Sequence, residues 1–434
     1  MNNYTVYHLH SELSLLDSTT NYKDYILRAK DSGQKAICFT EHGNTYNWVE
    51  KKMFCEMTHY KVYHDDVFEY TDAKHLDKVK QRFYEFFHCD PFIKELPPIK
   101  YIHGVEVYLT ETLDEKIKDN YHTILIAKNY QGLREINVLV DLSTTESHMY
   151  YKPRISFEEF MQISDNVIKT SACLASPLWK LYKSGDPHQW VERLLPHYDF
   201  LEVQPHNHQD QKEFNIWLYN LSKAFDIPLI AGTDTHSISQ YKAECRTMLQ
   251  YAKNIDFGDE DTFDLTWKSY DDLVHMFEEQ GVLPEQAYLE AIKNTNRMAD
   301  SVEDFQLDLS FKYPKLYDNE EEVFVDRIKK MYWEKVNAGI IEDNPVYETK
   351  IREELRVLKK IGMIGFMLFM SELVCWCHEN DIPTGPCRGS VGGSTVAYIT
   401  GIIDVNPVIW NTVFSRFANE DRMEIGDEIK NIAK

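Results

Sequence analysis

Along the first half of the chain, short apolar runs alternate with segments of helical period. Residues 4–7 alternate and are rich in β-forming types, which predicts a short strand. Tyr22, Tyr25, Ile26 and Ala29 share one helical face over 22–31, and Gly33 ends that segment. A compact apolar strand is predicted at 36–40, and further strands at 101–110, 123–127, 167–170, 200–204 and 227–232. A helix over about 210–225 separates the last two. Strand–helix–strand alternation of this kind predicts an α/β architecture with parallel strands. Residues 49–98 break the rhythm: they are charged, aromatic and helical in pattern, without obvious strands, and read as an insertion between two elements. The second half is helical, with periodic segments at about 285–300 and 320–338. Asn344 is then placed as an N-cap with Pro345 at the first helical position of a helix reaching Lys360.

A chain of 434 residues exceeds one ordinary core, so two or three domains are expected. The most apolar run, 363–377, contains Ser371 and Glu372 and falls short of the ~20 residues that span a bilayer. The first residues lack the basic and apolar regions of a signal peptide. Eight cysteines show no Cys-x-x-Cys pair, so neither a zinc ribbon nor a disulfide framework is indicated. These features predict a soluble protein of the reducing cytoplasm, with no membrane partner. A net charge of −23 argues against a broad, sequence-independent grip on nucleic acid, while leaving room for a local basic groove or a carboxylate-rich metal site.

Chemistry enters at His8-Leu9-His10. On a strand both imidazoles would face one side, and Asp17 follows from the next loop; this is a donor set for zinc, manganese or iron. Taken alone, the pair reads equally well as two surface histidines. Further candidate ligands stand at or beyond strand ends, His42, His122, Cys173, His206, His208, Asp234 and His236, and Glu106 sits within the strand over 101–110. Singly, a cysteine is more often a small core residue and a strand glutamate more often faces water. A whole set at strand ends points to a site on the rim of a β/α architecture, where loops converge. In the second half, Gly385-Pro386-Cys387-Arg388-Gly389-Ser390 runs on to Gly392-Gly393-Ser394 before a helix-compatible run. Such a loop can surround an anion with amides and a guanidinium group, or can simply be a turn; it is not a Walker loop.

These residues resemble a known family. His8-Leu9-His10 with Leu15-Leu16-Asp17, Thr40-Glu41-His42-Gly43-Asn44, Gly104-Val105-Glu106, Tyr121-His122, Ser171-Ala172-Cys173-Leu174 and Thr233-Asp234-Thr235-His236 are similar to the polymerase-and-histidinol-phosphatase (PHP) metal domain. The form is the one that begins bacterial DNA polymerase III alpha subunits, the family C polymerases, and Tyr150-Tyr151-Lys152-Pro153-Arg154-Ile155 matches that version. The resemblance implies a PHP-type distorted β/α barrel holding a trinuclear cluster of Zn, Mn or Fe. The ligands it implies are His8, His10, Asp17, His42, Glu106, His122, Cys173, Asp234 and His236, with His8, His10, Asp17, Asp234 and His236 carrying catalysis. Glu41 stands where an Asp is usual, and the 49–98 insertion is longer than the usual connection.

The glycine-rich loop is similar to the palm loop of the same family, and the match runs through Asp404-Val405-Asn406-Pro407 and Phe414-Ser415-Arg416-Phe417. It implies nucleotide binding by Gly385, Arg388, Gly389, Ser390, Ser394 and Arg416. Cys387 replaces a usual glycine. The family continues into a Pro-Asp-x-Asp-x-Asp strand. Here Asp427 can align with the first acid, but the positions two and four later are Ile429 and Asn431. The expected organisation is therefore a PHP domain over 1–275 and a mostly helical partial palm over 276–434 that lacks the catalytic Asp-x-Asp strand. The expected function is a metal-dependent phosphoesterase, a 3′–5′ exonuclease, within a DNA-replication polypeptide. DNA and a deoxynucleoside triphosphate are its expected partners. Polymerisation, with Mg, is expected only with a second polypeptide carrying the remaining palm, thumb and fingers. The alternatives are a stand-alone PHP phosphatase and a non-catalytic replication scaffold.

Overall fold

The computed structural model describes residues 3–114, 116–186, 188–255, 263–308 and 313–419. The chain divides into two compact units, 1–306 and 307–434. Among the described residues no single helix is long and apolar enough to cross a membrane.

Among the described residues of the first unit eleven strands form three sheets: β1 Ala36–Phe39, β2 His59–His64, β3 Val67–Asp72, β4 Phe92–Leu96, β5 Lys100–Thr110, β6 Tyr121–Ala127, β7 Met149–Tyr150, β8 Lys152–Ser156, β9 Val167–Thr170, β10 Leu201–Val203 and β11 Leu229–Ala231. The largest sheet runs β7-β8-β5-β6-β9, with β1 parallel to β5. Its centre is β5, whose register brings Glu106 opposite Ile124 and Tyr108 opposite His122. The parallel pair β10–β11 is separate, with Glu202 opposite Ile230. Helices such as Tyr22–Asp31, Tyr130–Ser143, Gln209–Phe225 and Glu285–Ser301 bury apolar faces around the sheets. Tyr25, Ile26, Ile37, Phe39, Val105 and Leu125 lie together in a core almost fully removed from water, the dominant favourable contribution to this unit's stability.

The structure departs from three of the expectations drawn from the sequence. The expected barrel is not formed: no sheet closes on itself among the described residues, and the sheets mix parallel and antiparallel pairs. Where closing ladders would be required, Leu9–Thr235 and Thr170–Phe200 pair through single bridges. For the same reason residues 4–7 are not a regular strand; they are buried and meet their neighbours through isolated bonds such as Cys38 N–H to the Val6 carbonyl. The stretch expected to be helical without strands, 49–98, contains the antiparallel sheet β3-β2-β4. The helix Leu76–Phe87 covers it through a small core of Val62, Val79 and Phe83.

The second unit is helical in its described residues. Glu320–Asn337, Pro345–Lys360, Ile364–Glu379 and Thr395–Ile399 pack around Phe324, Leu358, Leu368, Val396 and Ile399. The Asn344 side chain accepts from Val346 N–H, capping the helix that starts at Pro345. The family's acidic strand aligns within 420–434, which lies outside the described residues.

Candidate metal centre

All nine candidate ligands lie around one cleft of about 960 Å³ in the first unit: seven line it, and His8 and His10 are fully buried directly behind Glu106 and Asp234. His8 and His10 come from the buried N-terminal segment, His42 from the turn after β1, Glu106 from the middle of β5, and His122 from β6. Cys173 follows β9, and Asp234 and His236 follow β11.

Glu106 is central. One oxygen lies 3.4 Å from His8 Nε2 and 3.1 Å from His122 Nδ1, the other 2.6 Å from His42 Nδ1 and 3.9 Å from His10 Nε2. Asp234 Oδ1 lies 3.0 Å from His8 Nε2 and 3.4 Å from His10 Nε2. Asp17 Oδ2 lies 2.8 Å from His42 Nε2 and 3.3 Å from His236 Nε2. The His10 ring stacks between His42 and His236, with centroids 4.1 and 4.4 Å away. Cys173 Sγ is 3.9 Å from His122 Nδ1. Among the described residues three groups have donor atoms close enough to share a cation: His10–His42–His236, His8–His10–Glu106 and His42–Glu106–His122.

The donor chemistry fits divalent metal. His8 Nε2, His10 Nε2, His236 Nε2, Glu106 Oε1 and Asp234 Oδ1 are buried and make no hydrogen bond despite these short separations. Lone pairs that converge without protons between them are costly unless a cation occupies the space. Without one, protons take that role. Burial opposes a charge on His42, yet Glu106 and Asp17 hold its imidazolium up to about 10. Burial works the same way on His8, which Asp234 and Glu202 nevertheless hold well above its ordinary value. His10, between two other imidazoles, is pushed down to about 3 by burial and by His42 and His236. Burial opposes ionisation of Glu106, but His122 and His42 keep its carboxyl well below the ordinary range. Burial, Asp234 and Glu106 push the Cys173 thiol up, so a thiolate there requires a cation.

Two stretches of the chain match family models: the PHP domain over residues 7–206, and the bacterial DNA polymerase III alpha NTPase domain over residues 324–429. DNA polymerase III subunit alpha of Aquifex aeolicus is 28% identical over 449 residues, covering 97% of this chain and 35% of that protein. The subunit of Borreliella burgdorferi is 28% identical over 442 residues, covering 97% and 34%. The subunit of Campylobacter jejuni is 24% identical over 475 residues, covering 98% and 36%. Both matched stretches and these relatives make the chain similar to the N-terminal part of DNA polymerase III alpha-family proteins. It corresponds to the N-terminal PHP and partial palm region, about a third of the length of these relatives.

Several residues around the PHP site escaped the sequence reading. Arg246 donates from Nε and Nη2 to Asp17 Oδ1, at 2.9 and 2.5 Å. Ser14 Oγ donates to Glu41 Oε2 at 2.6 Å, so it accepts the proton of His10 Nδ1, 3.0 Å away. Glu41 does not reach the cleft: Ser11, Ser14 and Lys51 surround it. Burial opposes its charge, but Lys51 and the two hydroxyls hold its carboxyl at about 2. Glu202 backs His8 from the opposite side to the cleft. No spacing rule reaches Arg246 or Glu202, because each comes from an element distant in sequence from the ligand it touches.

In the palm region Gly385, Arg388, Gly389, Ser390 and Arg416 are exposed, while Ser394 is buried. Ser394 Oγ donates to Glu354 Oε2 at 2.8 Å and accepts from Ala397 N–H. The amides of Thr395 and Val396 also donate to Glu354, at 2.8 and 2.9 Å. The N-terminus of the helix after the loop is thus already occupied by a buried carboxylate.

Proposed function

We propose that the PHP region is a metal-dependent phosphoesterase that trims nucleic-acid ends, a 3′–5′ exonuclease within a replication polypeptide. The carrying observation is the convergence of five buried, hydrogen-bond-free donor atoms beside an open cleft. The nine candidate residues His8, His10, Asp17, His42, Glu106, His122, Cys173, Asp234 and His236 would hold Zn, Mn or Fe. Bound there, such ions polarise a phosphoester oxygen and acidify a water. The chain's own side chains divide the remaining work. Glu106 and Asp234 supply negative charge that favours cations, and Arg246 fixes Asp17.

The cleft mouth favours a strand over a small phosphomonoester. Lys118, Lys152 and Lys180 line it, and among the described residues none of the three is ion-paired. Lys152 Nζ lies 5.0 Å from the Tyr108 ring, and that ring lies 5.2 Å from His122; Lys118 Nζ lies 4.6 Å from the Tyr151 ring. Asp119 and Asp210 share the mouth, but Asp210 lies 3.5 Å from Lys183. Cations beside aromatic rings suit a backbone with stacked bases, despite the overall negative charge.

Protein purified without chelator should carry more than a single equivalent of metal and trim single-stranded DNA. Asp234→Asn and His10→Ala should each abolish trimming. Lys152→Ala should raise KM for the strand, leave kcat nearly unchanged and flatten the salt dependence by about 0.7 in logarithmic slope. Absence of metal, or full activity in both ligand variants, would reject the reading. Rapid hydrolysis of small phosphomonoesters alongside inert DNA would make it a phosphatase.

We further infer that Arg388, Arg416 and the exposed amides of Gly385, Gly389 and Ser390 receive the phosphates of a deoxynucleoside triphosphate. Ser394 would then act by shaping the loop through Glu354. Nucleotidyl transfer with Mg would need a further polypeptide segment supplying paired acids. The eight unpaired cysteines suit the reducing cytoplasm, to which we assign the protein.

A further inference from the structure

We propose that Glu202 is a positioning residue that fixes a proton on His8 Nδ1, and thereby sets metal affinity at the corner formed by His8, Glu106 and Asp234. The proposal rests on reading the cleft as a metal centre. Glu202 is fully buried in β10 and does not line the cleft, so it is not itself a candidate ligand. Its Oε1 lies 2.6 Å from His8 Nδ1 and accepts from Gln204 Nε2–H at 2.7 Å. Its Oε2 accepts from the Tyr7 hydroxyl at 2.6 Å. A carboxylate offers only acceptors, so the His8 nitrogen facing it must carry hydrogen. The other nitrogen, Nε2, is then the one turned toward Asp234 Oδ1 at 3.0 Å and Glu106 Oε1 at 3.4 Å. The reverse tautomer would put a proton into that corner and close it to a cation.

The arrangement is built from both strands of the small sheet. Val203 pairs with Ala231, which brings Gly232 against Glu202. A Cβ on Gly232 would lie 2.1 Å from Glu202 Oε1, so only glycine leaves room for the carboxylate. Gly232 also precedes Asp234 by two residues, and the strand that carries a candidate ligand therefore also shapes the partner of another. An anionic acceptor behind a ligating imidazole orients the ring and raises its basicity, and losing such a partner costs about 10–100-fold in metal affinity.

Two variants test this. Glu202→Gln keeps the shape and removes the charge, while Gly232→Ala keeps the charge and displaces the carboxylate. Zinc affinity, measured by competition with a chelating dye, should fall about 10–100-fold in each. Proton NMR should show a far-downfield His8 Nδ1–H resonance in wild type, with and without zinc, that moves upfield in Glu202→Gln. Urea midpoints separate this effect from misfolding; if Gly232→Ala fails to fold, Glu202→Gln alone decides. Wild-type zinc affinity in folded Glu202→Gln, or an unmoved resonance, would overturn the role of Glu202. A wild-type protein that binds no zinc would instead overturn the metal reading, whereas the resonance would still report on the Glu202–His8 contact.

Discussion

Ser14 shows how much of the PHP site depends on groups that never reach the cleft. Its single proton goes to Glu41, which leaves its lone pairs for His10 Nδ1–H and for the amide of His42, 3.2 Å away. One hydroxyl therefore orients two candidate ligands and satisfies a buried acid. Ser14→Ala should orphan the His10 proton and remove one donor from Glu41. A buried polar group left unpaired costs about 1–3 kcal/mol, so the urea-unfolding free energy should fall by that order. Metal affinity should fall with it. An unchanged unfolding free energy would mean that water or a shifted side chain replaces the hydroxyl.

At the scale of elements, periodicity located most of the regular structure. The helix over 22–31 and the strand over 167–170 are found as predicted, and the glycine that ends the former follows its last turn. These segments are legible because their apolar faces repeat with the period of the element they form. The insertion was not legible. β2, β3 and β4 carry charged and aromatic residues on both faces and bury few side chains, so no alternation marks them. The candidate site was marked in the sequence by metal-ligating residue types mostly near strand ends, with Glu106 inside a strand, whereas the barrel expected around it was not found, since closure depends on pairings between distant segments.

The insertion also contains a titrating contact. Lys30 Nζ lies 3.3 Å from His59 Nδ1 and donates to the Met57 carbonyl. Burial first, and then Lys30, pushes the His59 imidazole from 6.5 down to about 4. Between those values an unfolded chain takes up a proton that the folded chain refuses. Stability from this site is complete above pH 6.5 and is lost as pH falls from 6.5 toward 4. His59→Phe, which can keep the ring packing on Phe54, should show a shallower loss of thermal midpoint across that window. Identical slopes in the two proteins would remove His59 as the cause.

For the whole molecule, the relevant comparison is between what the two units contain and what nucleotidyl transfer requires. The relatives are about three times as long as the chain, and paired metal-holding acids are needed to activate a primer's hydroxyl. The segment after Arg422 offers Asp427 but has Ile429 and Asn431 at the following alternate positions. A polypeptide of this sequence alone should therefore bind a deoxynucleoside triphosphate weakly, in an Arg388-dependent manner, and fail to extend a primed template. Extension that persists after removal of contaminating polymerase would contradict this.

The backbone of the cleft carries a further consequence. Leu16, Ala172 and Asp234 all adopt left-handed conformations, with φ of 69°, 57° and 45°. Each either adjoins a candidate ligand or is one. For most side chains such a conformation costs about 1–2 kcal/mol. At Ala172, which is fully buried among packed apolar neighbours, a larger group would in addition have to displace those neighbours. Position 172 should therefore tolerate glycine and alanine and little else in a saturation screen for folded protein. Leu16, which is half exposed, should also accept asparagine and aspartate. The range of permitted residues next to the ligands is thus set by chain geometry as much as by the chemistry of the ligands themselves.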